Sequence, residues 1–517
     1  MVIKILMLVI FFAVMLTIGF ICRKNATDVN GFVLGGRAVG PWVTAFAYGT
    51  SYFSAVIFVG YAGQFGWKYG VATTWVGIGN ALLGSFLAWR ILGRRTRIMT
   101  QHLDSATMPQ FFQARFGSPA LKIAASVITF IFLIPYTASL YNGLSRLFEM
   151  AFHVDYTICV IVMAVLTGIY VIAGGYMATA INDFIQGIIM LIGIVAVIAA
   201  VLKGHGGFVG SLDALARITD ESVTTTPGIF ASFFGPDPLN LFGVVILTSL
   251  GTWGLPQMVQ KFYAIKSEKS ISKGTFVSTF FAIIVAGGCY FLGGFGRLYS
   301  DVIDVKVDGY DAIIPAMLAN LPNILIAIVI VLVLSASMST LSSLVLTSSS
   351  TLTLDLLKGH VVKKMSEKKQ LIIMRALIVV FIAISVVIAI IQYKQNVTFI
   401  AQLMGVSWGA LAGAFLAPFL YGLYWKKATK ISVWCSFLFS SIVMILNMLF
   451  RSHFPTLLQS PINAGAFCMI AGLIIVPIVS LLTPKPDSKL VEDAFACYNT
   501  KVSVPQYEAL SDDAEAK

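Results

Sequence analysis

Apolar stretches of roughly 18 to 25 residues, each long enough to cross a bilayer as a helix, recur along this whole chain. They fall at about residues 2–21, 40–66, 70–92, 119–150, 155–174, 179–202, 240–262, 273–297, 322–355, 371–392, 397–424, 430–450 and 462–482. Backbone polar groups in lipid must be satisfied within the segment, so such stretches fold as helices. The expected fold class is therefore an all-α integral membrane protein with about thirteen transmembrane helices. Of the 517 residues, 58% are hydrophobic and only 11% charged, and the mean hydropathy is +0.88, which excludes a soluble multidomain protein. The net charge of +12 is no argument for nucleic-acid binding, because the basic residues cluster between apolar stretches on alternate loops.

The first stretch carries its charges after it, at Arg23 and Lys24, with no small-residue cleavage pattern, so it reads as a retained helix with its N-terminus outside. An odd number of spans puts the C-terminus inside. The loops Arg90–Arg97, Lys261–Lys273, Lys358–Arg375 and Lys426–Lys430 then face the cytoplasm, with about 26 of the 35 Lys and Arg residues. The expected organisation is a transmembrane domain over 1–482 and a cytoplasmic, disordered tail over 483–517. The dispersed cysteines, Cys22, Cys159, Cys289, Cys435, Cys468 and Cys497, form no metal or disulfide pattern. His102, His153, His205, His360 and His453 fall in loops or at span ends. The sequon at Asn396 lies on an expected outer loop.

Within the ninth stretch the run ILIAIVIVLVL passes directly into SASMSTLSSLVLTSSSTLT, residues 335–353, where twelve of nineteen residues are Ser or Thr. Ala336, Ser339, Thr340, Ser343 and Thr347 recur at helical spacing and share one face. Such a face serves either for helix packing, with hydroxyls bonded back to carbonyls one turn earlier, or as a ligand set for a hard cation.

Two spans read as interrupted. The second contains Gly49, Thr50 and Ser51 at its middle, and the seventh contains Gly254 and Pro256. Glycine lowers the cost of unwinding and proline removes a backbone donor. The two breaks lie five spans apart, at matching positions of two five-helix blocks, which points to a transporter with inverted repeats and a midplane site. Freed carbonyls at Thr50 and Phe53, the Ala336 carbonyl and the hydroxyls of Ser339 and Thr340 would give neutral oxygens suited to a monovalent cation such as Na+. Tyr52, Ser54, Tyr136, Trp253 and Gln257 are the candidate solute-binding residues, since they converge on the breaks and on the fourth span. Asp183 is an acidic residue inside a span, a functional candidate weighed against a solvated helix end. Arg146 and Glu149 read as anchors for the outer end of the fourth span.

The segments FVLGGRAVGPWVTAFAYGTSYFSA, TMPQFFQARFG, GIYVIAGGYMATAINDFIQG, SASMSTLSSLVLTSSSTLTLDLLK and GALAGAFLAP stand in an order and spacing that resembles the sodium:solute symporter family over roughly residues 30–425. The branch it looks most like is that of the proline/pantothenate-type bacterial symporters. The resemblance implies a LeuT-type 5+5 inverted-repeat core over 38–424, an extra first helix over 1–22 and two accessory helices over 425–482. It implies Na+ as coupling ion, bound by Thr50, Phe53, Ala336, Ser339 and Thr340, and uptake by alternating access. It also implies residence in the plasma (cytoplasmic) membrane. Sialic-acid members of the family suggest a candidate second Na+ site at Asp183, Ser339, Ser342 and Ser343.

The expected function is sodium-coupled import of a small organic solute, an amino acid, pantothenate or another carboxylate-bearing compound. Proline symporters of the family usually carry an aspartate where this chain has Tyr52. The alternatives are a proline-type amino-acid symporter, a membrane sensor or a channel. A tail of about 35 residues is too short for a kinase domain. No paired nucleophile and base, metal cluster or phosphate loop marks an enzyme. The expected partners are the solute and the lipid bilayer, with no nucleic acid and no obligate protein partner.

Overall fold

The computed structural model describes residues 2–152, 154–358, 362, 365–395 and 400–499. Asn396, His153, His360 and residues 500–517 lie outside them, as do the side chains of Arg146 and Glu149.

Every long element is helical. In chain order they are α1 (Val2–Cys22), α2 (Pro41–Tyr52), α3 (Val56–His102), α4 (Met108–Phe116), α5 (Pro119–Phe152) and α6 (Tyr156–Lys203). Then follow α7 (Pro238–Gly254), α8 (Pro256–Ala264), α9 (Lys269–Gly293), α10 (Asn323–Leu357) and α11 (Glu367–Gln395). The chain closes with α12 (Ile400–Tyr424), α13 (Lys430–Leu449), α14 (Pro461–Leu482) and α15 (Ser488–Ala496). Among the described residues, ten helices are long and apolar enough to cross a membrane, or eleven when α7 and α8, bent by 46°, count as one span.

Two of the ten are far longer than a bilayer requires. α3 has 47 residues and α6 has 48, roughly 70 Å each at 1.5 Å per residue, against a hydrocarbon core of about 30 Å. Each turns at a glycine with positive φ: Gly70 at 61° in α3 and Gly175 at 55° in α6. At Gly175 a Cβ would lie 2.8 Å from the Phe32 carbonyl oxygen. Gly175→Ala therefore meets both backbone strain and a clash. It is expected to cost about 1–3 kcal/mol, read as a lowered melting temperature of the detergent-solubilised protein.

Local signals set the short elements. Thr107 caps α4 by accepting from the Gln110 amide, Pro109 sits in its first turn, and Gly117 ends it in the left-handed region at φ 62°. α10 is the centre of the molecule, with every residue from Val329 to Thr351 buried. It packs on α6, α5, α2, α1 and α11. α12 is almost wholly buried too, against α14, α5, α13 and α7. Large apolar side chains on α1, α6, α11, α13 and α14, such as Val9, Ile192, Val379, Leu449 and Leu482, are exposed, as on a surface solvated by lipid.

α3 and α9 touch backbone to backbone. A Cβ on Gly66 would stand 1.9 Å from the Gly293 oxygen, and one on Gly293 would stand 2.1 Å from the Ala62 oxygen. Gly77 and Gly287 make a second such contact along the same pair, at 2.4 Å. Small residues at a helix crossing allow this approach, and dispersion then replaces the hydrophobic drive that lipid does not supply.

The tail differs from the expectation of disorder over 483–517. Residues 488–496 form α15, capped by the Asp487 carboxylate, which accepts from the Lys489 amide. Val491, Ala494 and Phe495 are buried on one face, and the Phe495 ring lies 4.9 Å from the Arg115 guanidinium. Arg115 itself donates to the carbonyls of Gly422 and Trp425 at 2.9 and 3.0 Å. A short amphipathic helix with a cap and a docking surface forms where a bare polar composition would not.

Candidate ion and solute site

The two interruptions lie in α2–α3 and α7–α8. The second falls at Leu255, whose backbone is extended (φ −79°, ψ 122°) between Gly254 and Pro256. The first falls at Phe53 and Ser54, after Gly49 and Ser51 rather than at them. Phe53 is extended (φ −86°, ψ 125°), while Gly49, Thr50 and Ser51 stay in the last turns of α2. Gly49 instead makes room for a neighbour, since a Cβ there would meet the Phe281 ring at 2.4 Å.

Extended residues at the end of α2 leave carbonyls without partners in the helix ladder, and these turn toward α10. The Ser339 hydroxyl donates to the Thr50 carbonyl at 2.9 Å and lies 3.3 Å from that of Ala336. The Thr340 hydroxyl lies 3.3 Å from the Thr50 carbonyl, 3.3 Å from Phe53 and 3.1 Å from Ala336. Three carbonyls from the broken end of α2 and from α10 thus gather around the two hydroxyls of α10, on residues that are all fully buried. No carboxylate belongs to the set. A ring of neutral oxygens at such separations has the chemistry for a small monovalent cation. A divalent ion such as Ca2+ usually collects carboxylates, which this set lacks.

Beside this set lies a polar group without enough partners. The hydroxyls of Tyr52, Ser54 and Tyr136 and the Trp408 indole nitrogen are buried and make no well-aligned hydrogen bond; Tyr136 lies beside Ser54 and Trp408, and Tyr52 beside Thr248 and Tyr290. The rings of Tyr52 and Tyr136 each sit 5.8 Å from that of Trp408. Both amide atoms of Gln257, in the first turn of α8, are also buried and unsatisfied. Buried donors are almost always well paired, so these loosely met groups have hydrogen-bonding capacity to spare. Trp253 is turned elsewhere, with its indole N–H donating to the Leu83 carbonyl at 2.9 Å. Trp408, on α12, escaped the sequence reading because it is a lone aromatic far from either break.

Asp183 is completely buried on α6. The group facing it is Lys261 of α8, whose Nζ lies 3.5 Å from the carboxylate and donates to the Ser343 hydroxyl at 3.0 Å. Ser343 in turn shares a hydrogen bond of 2.9 Å with Ser51. The Ser342 hydroxyl donates to the Ser339 carbonyl at 2.9 Å. Lys261 opens the basic loop Lys261–Lys273 in the sequence, and its position one turn beyond Gln257, inside a broken span, is the signal that sets it apart.

The two ends of the molecule differ. At the end that carries α15, Arg37 bridges to the carbonyls of Tyr263, at 3.1 Å, and Ser105, at 2.7 Å. Asp355 accepts from Thr107 at 2.6 Å and from Gln110 at 2.7 Å. At the opposite end a cavity of about 880 Å³ opens, lined by Gln64, Lys68, Asp237, Arg297, Tyr310 and Arg451 among others. Its rim is pinned by Arg297, 2.9 Å from Asp220. The Ser222 hydroxyl and the Arg297 guanidinium hold the Asp220 carboxyl below its ordinary range. The tie is therefore present at neutral pH and is lost only as pH falls through that lowered value.

Residues 32–438 match the Sodium:solute symporter family. The chain is 29% identical over 481 residues to the osmoregulated proline transporter OpuE of Bacillus subtilis, covering 92% of this chain and 94% of that protein. It is 29% identical over 500 residues to a sodium/proline symporter of Staphylococcus aureus, covering 94% of each. Among solved structures it resembles that of a Na+-coupled sialic acid symporter, with a TM-score of 0.72 and 16% identity over 94% of this chain and 99% of that one. That likeness shows the fold, an all-α multi-pass membrane architecture of the inverted-repeat symporter type.

Proposed function

The chain belongs to the sodium:solute symporter family, and from that premise we propose that it couples the entry of Na+ to the uptake of a small carboxylate-bearing solute. It is a multi-pass membrane protein and a secondary active transporter of a small organic solute, in a family of transporters rather than enzymes.

The observation that carries the proposal is the convergence of the Thr50, Phe53 and Ala336 carbonyls with the Ser339 and Thr340 hydroxyls. Na+ held there draws the broken end of α2 onto α10. The ion drives a change of state only through a difference in its affinity for the two states. The solute occupies the buried polar and aromatic group formed by Tyr52, Ser54, Tyr136 and Trp408. Its carboxylate is met by the unpaired side-chain amide of Gln257 in the first turn of α8, where Pro256 has no N–H and the amides of Met258 and Val259 are bonded to the Leu255 carbonyl. The cavity of about 880 Å³ is the outer approach, and the Arg37 and Asp355 bonds close the inner side.

The reading includes about thirteen crossings, with α3 and α6 each counted as two legs at Gly70 and Gly175. The N-terminus lies outside and the C-terminus inside, in a plasma membrane. Proline heads the solutes to test, because the two curated relatives are named as proline transporters. Tyr52 argues for a different shape at that position of the pocket.

The deciding experiment is uptake of labelled proline, pantothenate and small monocarboxylates into proteoliposomes under an inward Na+ gradient, against choline. Accumulation of at least one of them above equilibrium, abolished in choline, is the expected result. Conductance without accumulation would replace the symporter by a channel.

A further inference from the structure

Asp183 and Lys261 meet in a pocket that transport, as described so far, does not use. The carboxylate has no exposure and the Lys261 side chain next to none. Three kinds of group surround the ammonium. Asp183 Oδ2 is at 3.5 Å, the Ser343 hydroxyl accepts at 3.0 Å, and the face of the Tyr176 ring is 5.1 Å away. Carboxylate, hydroxyl and ring face are each attractive to a cation. The Ser343 hydroxyl also bonds Ser51, the residue after Thr50, whose carbonyl belongs to the oxygen ring. The pocket thus joins α6, α8 and α10 to the broken end of α2.

A buried carboxylate demands a cation. The Asp183 carboxylate and the Ser343 hydroxyl, which meet at Lys261, are oxygen donors of the kind that hold Na+. Here α8 delivers an ammonium to the same place on a covalent tether, so no ion need be drawn from solution. We propose that Lys261 is the resident cation of the Asp183–Ser343 pocket, taking the place of a second Na+, so that this protein binds one Na+ per molecule. A second cation would have to displace the ammonium or share the one carboxylate with it, and like charges at that range repel strongly away from water. Lys261 lies on the half-helix that follows the Leu255 break. Any movement of α8 therefore withdraws a cation from Asp183 as it breaks the bond to Ser343. This inference rests on the symporter reading for the first Na+.

The test uses the full chain in lipid nanodiscs and ²²Na+ alone, with choline as the balancing cation, so it needs no identified solute. The wild-type protein is expected to bind one Na+ per molecule, with a Hill coefficient of 1. Lys261→Met, which frees Asp183, is expected to bind two. Lys261→Arg, and the double variant Lys261→Met with Asp183→Asn, are expected to bind one. Two ions on the wild type, one on folded Lys261→Met, or two on the double variant would each overturn the proposal. The wild type and the double variant leave no buried charge unpaired, so both remain decisive if Lys261→Met does not fold. No ion on the wild type would remove the Na+ reading of the oxygen ring, and this inference with it. One ion on both the wild type and Lys261→Met would remove this inference alone.

Discussion

Thr340→Val is expected to raise the Na+ concentration needed for half-saturation by about 10- to 150-fold. The valine keeps the branching at Cβ and so the side-chain shape on α10. What is lost is one oxygen that reaches the carbonyls of Thr50, Phe53 and Ala336 at 3.1 to 3.3 Å. An interaction with a charged group contributes about 1.5–3 kcal/mol, and each 1.4 kcal/mol is a factor of ten in affinity. Thr340→Ser retains the oxygen and is expected to stay within a few-fold of the native protein. Ser339→Ala should behave like the valine variant, and combining the two should cost more than either alone. The measurement is ²²Na+ binding to the purified variants, with melting temperature as the control for folding. Native affinity in a well-folded Thr340→Val protein would remove the oxygen ring from the coupling site.

Gly66→Leu is expected to yield no stably folded protein. At this crossing there is no space to relax into, because the nearest atoms belong to the backbone of Gly293 at 1.9 and 2.1 Å. A flexible side chain can swing away from an intruder, but a packed helix has to move as a body. Overpacking costs about 1–3 kcal/mol where side chains and backbone can shift to make room; here the intruder meets backbone, so the cost exceeds that range, and the reciprocal contact of Gly293 with Ala62 would be broken as well. Even Gly66→Ala should lower the melting temperature by several degrees. Size-exclusion profiles of the solubilised protein before and after a heat step check both variants. A monodisperse Gly66→Leu protein with native thermal stability would show that α3 and α9 are free to separate.

How much of this was legible in the amino-acid sequence depended on whether the cause was local. The hydroxyl face of α10 was visible because Ala336, Ser339 and Thr340 repeat at helical spacing. The break at Leu255 was visible because Gly254 and Pro256 flank it. The break at Phe53 and Ser54 has no glycine or proline of its own. The nearest glycine, Gly49, is small for the sake of the Phe281 ring, so a tertiary contact produced a misleading local signal. Lys261 was hidden for a related reason. As a cation near the end of a span it resembled the loop lysines that follow it, and only the fold brings it to Asp183. Tyr136 and Trp408 lie 272 positions apart in the chain, by subtraction of their residue numbers, and nothing in either neighbourhood announces their ring contact. The helix at 488–496 is short, and its apolar face acquires meaning only against Arg115.

That last helix has a practical consequence for anyone who attaches something to this protein. Cutting the chain after Leu482 would strip Phe495 from Arg115 and expose a guanidinium already committed to the end of α12. A fluorescent reporter joined there would sit where α15 docks, and its signal would describe a protein missing one of its own struts. Joined after Asn499, it would leave α15 seated between α4 and the end of α3. The two attachment points differ by 17 residues, by subtraction of 482 from 499, yet they would report on two different molecules.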